Sequence, residues 1–176
     1  MKTHRPYELQ EYNPEWKKRF LDAAEKLKPI FGSNLVEIDH IGSTSIEGMV
    51  AKPQIDILAV VKNLDSVKDC YGAFIKIGFT PRGRGYVNDD DEYITEDSSD
   101  GKRLTSVHTL QKGNPKISEL KTFRDYLRAN TEDRNLYIAT KRELYSLHQD
   151  NYLNYFRGKE NVINAIKARA KKWAAA

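Results

Sequence analysis

The chain has 176 residues, room for one ordinary domain, with 29 basic residues against 25 acidic ones and a formal net charge of +4. So mild an excess excludes a strongly basic nucleic-acid binder, and 39% hydrophobic residues with 10% aromatic ones exclude wholesale disorder. No apolar run approaches the ~18 residues of a membrane span, no apolar stretch follows the charges of the opening MKTHRPYELQEYNPEW, and the single cysteine, Cys70, has no internal disulfide partner; a cytoplasmic protein without membrane association is expected.

Asn13-Pro14-Glu15 reads as a helix start, with a capping Asn, a Pro at the first helical position and an acid in the first turn. Trp16, Phe20, Ala23, Leu27 and Ile30 follow at steps of three and four, which predicts an amphipathic helix, with Pro29 setting its end near residue 28. Leu35 to Ile41 and Ile55 to Val61 read as strands. The second is almost continuously apolar, the pattern of a central strand covered on both faces. Leu64 to Lys76 is expected as a helix with Val67, Tyr71, Phe74 and Ile75 inward and Gly78 closing it. Tyr86-Val87, Glu92 to Thr95 and Leu104 to Leu110 are expected as short antiparallel strands joined by polar turns. The remainder reads as helical. Its apolar faces are Ile117, Leu120, Phe123 and Leu127, then Leu136, Ala139, Leu144 and Leu147, then Val162, Ile163, Ile166 and Trp173. This order predicts an α+β or mixed α/β architecture in one domain, with a sheet-containing half at about 1–112 and a helical half at about 113–176.

The chemistry concentrates between the first two strands. Gly42 lets the backbone approach a phosphate, Ser43, Thr44 and Ser45 offer hydroxyl donors, and Lys52 offers a point charge. Asp56 near the start of the second strand suits Mg²⁺ held between one carboxylate and phosphate oxygens. Taken singly, a Gly-Ser-Thr-Ser loop is only a turn, and an aspartate at a strand start is usually a cap.

Together, with the twelve residues 44–55 between Gly42-Ser43 and Asp56, they resemble the nucleotidyltransferase motif: a hydrophobic residue, Gly, Gly or Ser, a spacer, then Asp, hydrophobic, acid, hydrophobic. The longer blocks Asp39 to Gly48, Ala51 to Leu58 and Phe123 to Arg128, with Tyr137 and Lys141-Arg142-Glu143-Leu144, resemble the GrpB family over roughly residues 7–170. The resemblance implies a bacterial protein with a nucleotidyltransferase-like mixed sheet flanked by helices and a C-terminal helical subdomain walling a cleft. It implies a nucleoside triphosphate or other phosphorylated small molecule at Gly42, Ser43, Thr44, Ser45 and Lys52. Asp56 would then be the catalytic residue and would hold Mg²⁺ or Mn²⁺ for nucleotidyl transfer to an acceptor.

One position departs from the motif. Strand periodicity puts residues two apart on one face, and the second acid expected there is Leu58. Two metals need bridging carboxylates, for which Asp39, Glu92 and Glu96 are candidates that the sequence does not place. Leu58 therefore supports a second reading, a catalytically inactive member that binds a nucleotide or phosphorylated metabolite and acts through a partner.

Several residues remain as cleft candidates. His108 lies in a strand resembling the His-containing strand of GrpB proteins, with Ser106 where those often carry a first histidine; a satisfied sheet histidine is the plainer account. His40 precedes the Gly-Ser turn and could orient it or simply bond backbone, and Arg103 could face the same cleft, an exposed strand-end arginine being the duller account. Arg124 and Lys141 belong to the stripes Lys121, Arg124, Arg128 and Tyr137, Lys141, Tyr145, His148, whose helical spacing reads first as solvated faces. The acidic stretch from Asp89 to Asp100 fails a calcium-loop pattern, because Val107 stands where a bidentate Glu is required. Arg157, Lys159, Lys167, Arg169, Lys171 and Lys172 read as a solvated terminal helix, so no nucleic-acid partner is expected.

Overall fold

The computed structural model describes residues 7–175. The expectation about a leader falls partly on residues 1–6, outside the described residues. Helix α1 (Glu15–Phe31) begins where Asn13 Oδ1 accepts the Glu15 amide at 2.9 Å, and it runs past Pro29 to Gly32. The expected break near residue 28 does not occur. Leu27 and Phe31 on either side of Pro29 are both buried, so packing holds the last turn although one amide donor is missing.

Strands β1 (Leu35–Ile41), β2 (Ile55–Val61), β3 (Thr80–Gly83), β4 (Glu92–Asp97) and β5 (Arg103–Gln111) form one mixed sheet in the order β1-β2-β5-β4-β3. Only β2 and β5 pair in parallel, and β2 lies inside the sheet as its apolar run predicts. Ile55, Ile57, Ala59 and Val61 face a core built with α1, with Val67 and with Phe74 of α2 (Tyr71–Lys76). Helix α2 is shorter than expected, since Asp65–Cys70 forms a 3₁₀ turn, and Ile75 is exposed rather than inward. Gly78, at φ 88°, closes it as predicted. The third strand lies at Thr80–Gly83 instead of Tyr86-Val87. Gly83 and Gly85, both at positive φ, turn the chain before Tyr86, and Pro81 is tolerated because β3 is an edge strand.

Helices α3 (Pro115–Ala129), α4 (Thr131–Leu147), α5 (Tyr152–Gly158) and α6 (Glu160–Ala174) complete the chain. Ile117 and Leu120 of α3 cover Ile41, Leu58, Val60 and Leu110 on the second face of the sheet. Ile46 and Met49, from the loop between β1 and β2, are buried with Tyr126, Leu127, Tyr137, Ile166 and Ala170. That loop is thus anchored in the helical half at its middle and in the sheet at its ends.

The apolar face expected on α4 is not its buried face. Leu136 and Leu147 are 48% and 65% exposed, while Asp133, Tyr137 and Lys141 are buried. Buried charges need partners, and here they have them. Arg169 of α6 clasps both oxygens of Asp133 at 2.7 Å, and Lys141 donates to groups of the β1–β2 loop. The stripe read as solvated is the one that faces the sheet half.

Candidate functional site

The end of β1 brings Gly42 against the carboxylate of Asp56 on β2. Gly42 has φ 71°, and a Cβ there would lie 2.5 Å from Asp56 Oδ2. Glycine is required twice, by conformation and by close approach. The group it approaches is the aspartate, where the sequence suggested a phosphate. The three loop hydroxyls then divide. Thr44 Oγ1 donates to Gln54 O at 3.2 Å and lies 3.0 Å from His40 Nε2, and Ser45 Oγ donates to Gly42 O at 2.6 Å. Thr44 and Ser45, expected as phosphate donors, use their hydroxyls to hold the loop. Ser43 alone turns its hydroxyl toward a cation, accepting from Lys141 Nζ at 2.5 Å.

Three lysines surround this point. Lys141, 2% exposed, also donates to Val50 O at 2.8 Å and lies 4.3 Å from the centre of the Tyr137 ring. Burial, then the charges of Lys159 and Lys52, hold its pKa well below the usual lysine value, against the opposing pull of Asp56. Lys159, buried at the junction of α5 and α6 and 4.5 Å from the Tyr155 ring centre, is pushed down to about 8 by burial first and Lys52 second. Lys52 donates to Tyr152 Oη at 3.0 Å and lies 4.4 Å from that ring's centre. Lys159, expected among the solvated basic residues of the terminal helix, is buried instead, because its charge packs over the Tyr155 ring. Its nearest signal is Gly158, where a Cβ would meet Leu144 Cδ2 at 2.5 Å, so that glycine lets α5 close on α4.

On the sheet, Asp56 pairs with Ser106 and Leu58 with His108, so all four share one face. Gln54 Nε2 donates to Asp56 Oδ1 at 2.7 Å and to Ser106 Oγ at 3.2 Å; Tyr93 Oη donates to Ser106 Oγ at 2.7 Å, and Arg103 Nη1 to Tyr93 Oη at 3.2 Å. This chain links Arg103 to Asp56. A cavity of about 40 Å³ beside it is lined by Tyr7, Glu8, Lys52, Pro53, Gln54, Lys102 and Arg103.

The other candidates lie elsewhere. His40 pairs with Ile57 across β1 and β2 and stacks on Phe20 of α1, with centroids 4.8 Å apart; burial first, then Arg128 and Arg124, push its pKa down to about 4. It holds Thr44 and so orients the loop. Arg124, a cleft candidate whose stripe reads first as a solvated face, donates to His40 O at 3.1 Å, chelates Asp125 and lies 3.6 Å from Asp39. It ties α3 to β1, as Arg128 ties α3 to Ser45 O at 2.7 Å. In the basic C-terminal helix, Arg169 is spent on Asp133 and Lys167 on Glu119.

None of the further acids reaches Asp56. Glu92 and Glu96 stand opposite Thr109 and Thr105, on the reverse face, and bond Tyr71 and Thr105. Asp39 shares the Asp56 face but pairs with Lys121 at 2.9 Å and with Arg124. Among the described residues no group of three or more His, Cys, Asp or Glu could hold a metal. The donor set does not fit two bridged metals. It fits one hard cation held by Asp56 with phosphate oxygens completing the shell.

The family model described as GrpB protein matches residues 6–169. The chain belongs to the GrpB family. It is 36% identical over 169 residues to the UPF0157 protein YqkA of Bacillus subtilis (strain 168), an alignment covering 96% of this chain and 48% of YqkA, so it spans about half that relative's length. The crystal structure of conserved protein GrpB from Enterococcus faecalis superposes with a TM-score of 0.90 at 31% identity, over 96% of this chain and 100% of that one. The structure of Cid1 in complex with its short product ApU superposes at 0.54 with 15% identity, over 79% of this chain and 43% of Cid1, a likeness of fold alone. This GrpB-family chain therefore has the nucleotidyltransferase-like fold that its motifs predicted, a five-stranded mixed sheet flanked by helices. Among the described residues, no helix is long and apolar enough to cross a membrane.

Proposed function

We propose that this GrpB-family chain binds a nucleoside triphosphate, or a similarly phosphorylated small molecule, in the cleft between the sheet and α4 to α6, with Mg²⁺ or Mn²⁺ on Asp56. The observation that carries the reading is the gathering of Lys52, Lys141 and Lys159 around a single carboxylate. With all four groups charged, the site has a formal excess of two positive charges in a largely buried setting. Such an excess is costly until an anion neutralises it. A triphosphate supplies the missing charge, and the metal would polarise the α-phosphate.

The residues of the chain divide the work. Ser43 and Lys141 hold phosphate oxygens at the end of β1, and Lys52 and Lys159, each lying over a buried tyrosine ring, neutralise the rest. In nucleotidyl transfer, an acceptor oxygen attacks the α-phosphate in line and pyrophosphate leaves toward the lysines. Leu58 favours a second reading, in which the same site binds its ligand without transfer and signals through a partner.

Thermal denaturation with ATP, GTP, CTP and UTP, each with Mg²⁺ or Mn²⁺, tests both. At about 100 times Kd a ligand adds about 2.7 kcal/mol, a shift of several degrees. The expected result is a rise with at least one nucleotide, lost in Lys141→Met and stripped of its metal requirement in Asp56→Asn. No rise at millimolar concentration removes the proposal. Binding without pyrophosphate release selects the second reading.

A further inference from the structure

Asp91 is fully buried, and among the described residues it meets no lysine or arginine. Its Oδ1 accepts the backbone N–H of Thr109 at 3.0 Å, and its Oδ2 lies 2.5 Å from Nδ1 of His108. A carboxylate only accepts hydrogen bonds, so Nδ1 of the imidazole carries the proton. No partner for His108 Nε2 is present among the described residues, and the side chain is 20% exposed. A buried carboxylate thus fixes the tautomer and the ring orientation while the second nitrogen keeps its lone pair.

The place of this pair in the sheet is the second observation. His108 stands beside Leu58, on the face that carries Asp56, two residues along β5 from Ser106. Strand spacing of about 4.8 Å and a rise of about 3.3 Å per residue put the α-carbons of Asp56 and His108 about 8 Å apart. His108 and Asp56 thus stand on one sheet face, one strand and two residues apart.

The geometry points to His108 as a general base for the acceptor, positioned by Asp91. The inference rests on the triphosphate reading above and adds the acceptor's chemical class, a hydroxyl compound. In the step, the acceptor oxygen forms a bond to the α-phosphorus of the bound triphosphate and the bond from that phosphorus to the β-phosphate oxygen breaks. The hydroxyl proton passes to His108 Nε2 and pyrophosphate carries off the bonding pair. Asp91 faces the imidazolium so formed and takes up no proton.

The test measures pyrophosphate release by the full chain from ATP, GTP, CTP and UTP with Mg²⁺, with a ribo-oligonucleotide, adenosine and glucose as acceptors. Nucleotide binding is followed in parallel by thermal shift. His108→Ala is expected to lower release about 10²-fold or more while leaving the thermal shift in place, and added imidazole is expected to restore part of the rate. Asp91→Asn is expected to lower release with binding retained. Should His108→Ala unfold, His108→Asn keeps an amide donor toward Asp91 and serves the same comparison. Release unchanged in the His108 variants, or a loss that imidazole does not rescue together with full activity in Asp91→Asn, overturns the assignment. A wild-type protein that binds nucleotide but releases no pyrophosphate also overturns it and leaves the triphosphate site standing. Absence of nucleotide binding removes the underlying reading, and the base with it.

Discussion

Two stretches of one sheet face, two residues apart, have opposite chemistry. At the start of β2 and β5, Asp56 and Ser106 share hydrogen bonds with Gln54 and Tyr93 beneath the lysines of the helical half. Further along the same strands, Leu58, Val60 and Leu110 are sealed beneath Ile117 and Leu120 of α3. A carboxylate persists at Asp56 because donors reach it there. Leu58 itself is fully buried and serves as packing against α3. Leu58, packed beneath α3, stands where the motif places a second acid, and Asp56 is left as the one carboxylate of that strand.

Restoring the acid is the strongest way to break this comparison. Leu58→Asp places an unpartnered carboxyl under α3 and is expected to cost about 4 kcal/mol in chemical denaturation. Stability near that of the wild type would mean that α3 does not seal the position. The reverse face supplies the next largest effect. His40 takes a proton near pH 4 when folded and near 6.5 when unfolded, so the unfolded state gains protons first as pH falls. Up to about 3 kcal/mol of stability is therefore lost between pH 6.5 and 4, and His40→Asn should flatten that part of the profile. Gly42→Ala adds a Cβ against Asp56 at positive φ and should cost about 2 kcal/mol, visible as a lower urea midpoint.

A smaller effect concerns the lysines. Lys159 titrates near 8 when folded and 10.5 when unfolded, so between those values the unfolded state binds more protons and stability rises with pH. The slope from this group is about 1 kcal/mol per pH unit, and Lys159→Met should remove it; a bound polyanion should remove it too. The exposed end of α6 sets the floor. Alanine at Lys171 and Lys172, both outside any ion pair among the described residues, should change stability by less than about 0.5 kcal/mol each.

Much of the fold was legible because it depends on local pattern. The apolar run of β2 announced an interior strand, Asn13 a helix start and Gly78 a helix end. Misreadings occurred where tertiary packing outweighed local preference. Pro29 did not stop α1, because Leu27 and Phe31 are buried around it. The apolar residues of α4 misled for the opposite reason. Leu136 and Leu147 are left in solvent, while the polar stripe of Asp133, Tyr137 and Lys141 finds its partners in α6 and in the β1–β2 loop, contacts remote in sequence. In the site, Gly42, Ser43, Lys52, Asp56 and Lys141 carry signals of type and spacing. Lys159 and Asp91 carry none, since nothing in the chain around a lone lysine or a third aspartate in a row says what it faces.

The amino-acid sequence by itself determined the family, the alternation of elements and the loop that joins Gly42 to Asp56, because each is written in residues close together. Only the tertiary structure decided which charges are shared. Folding turned Glu92 and Glu96 to the reverse face, occupied Asp39 with Lys121 and Arg124, and left Asp56 as the one acid among three lysines. Burial acts on the final set of neighbours, and that set is assembled from strands and helices as much as a hundred residues apart, as Lys141 and Ser43 are.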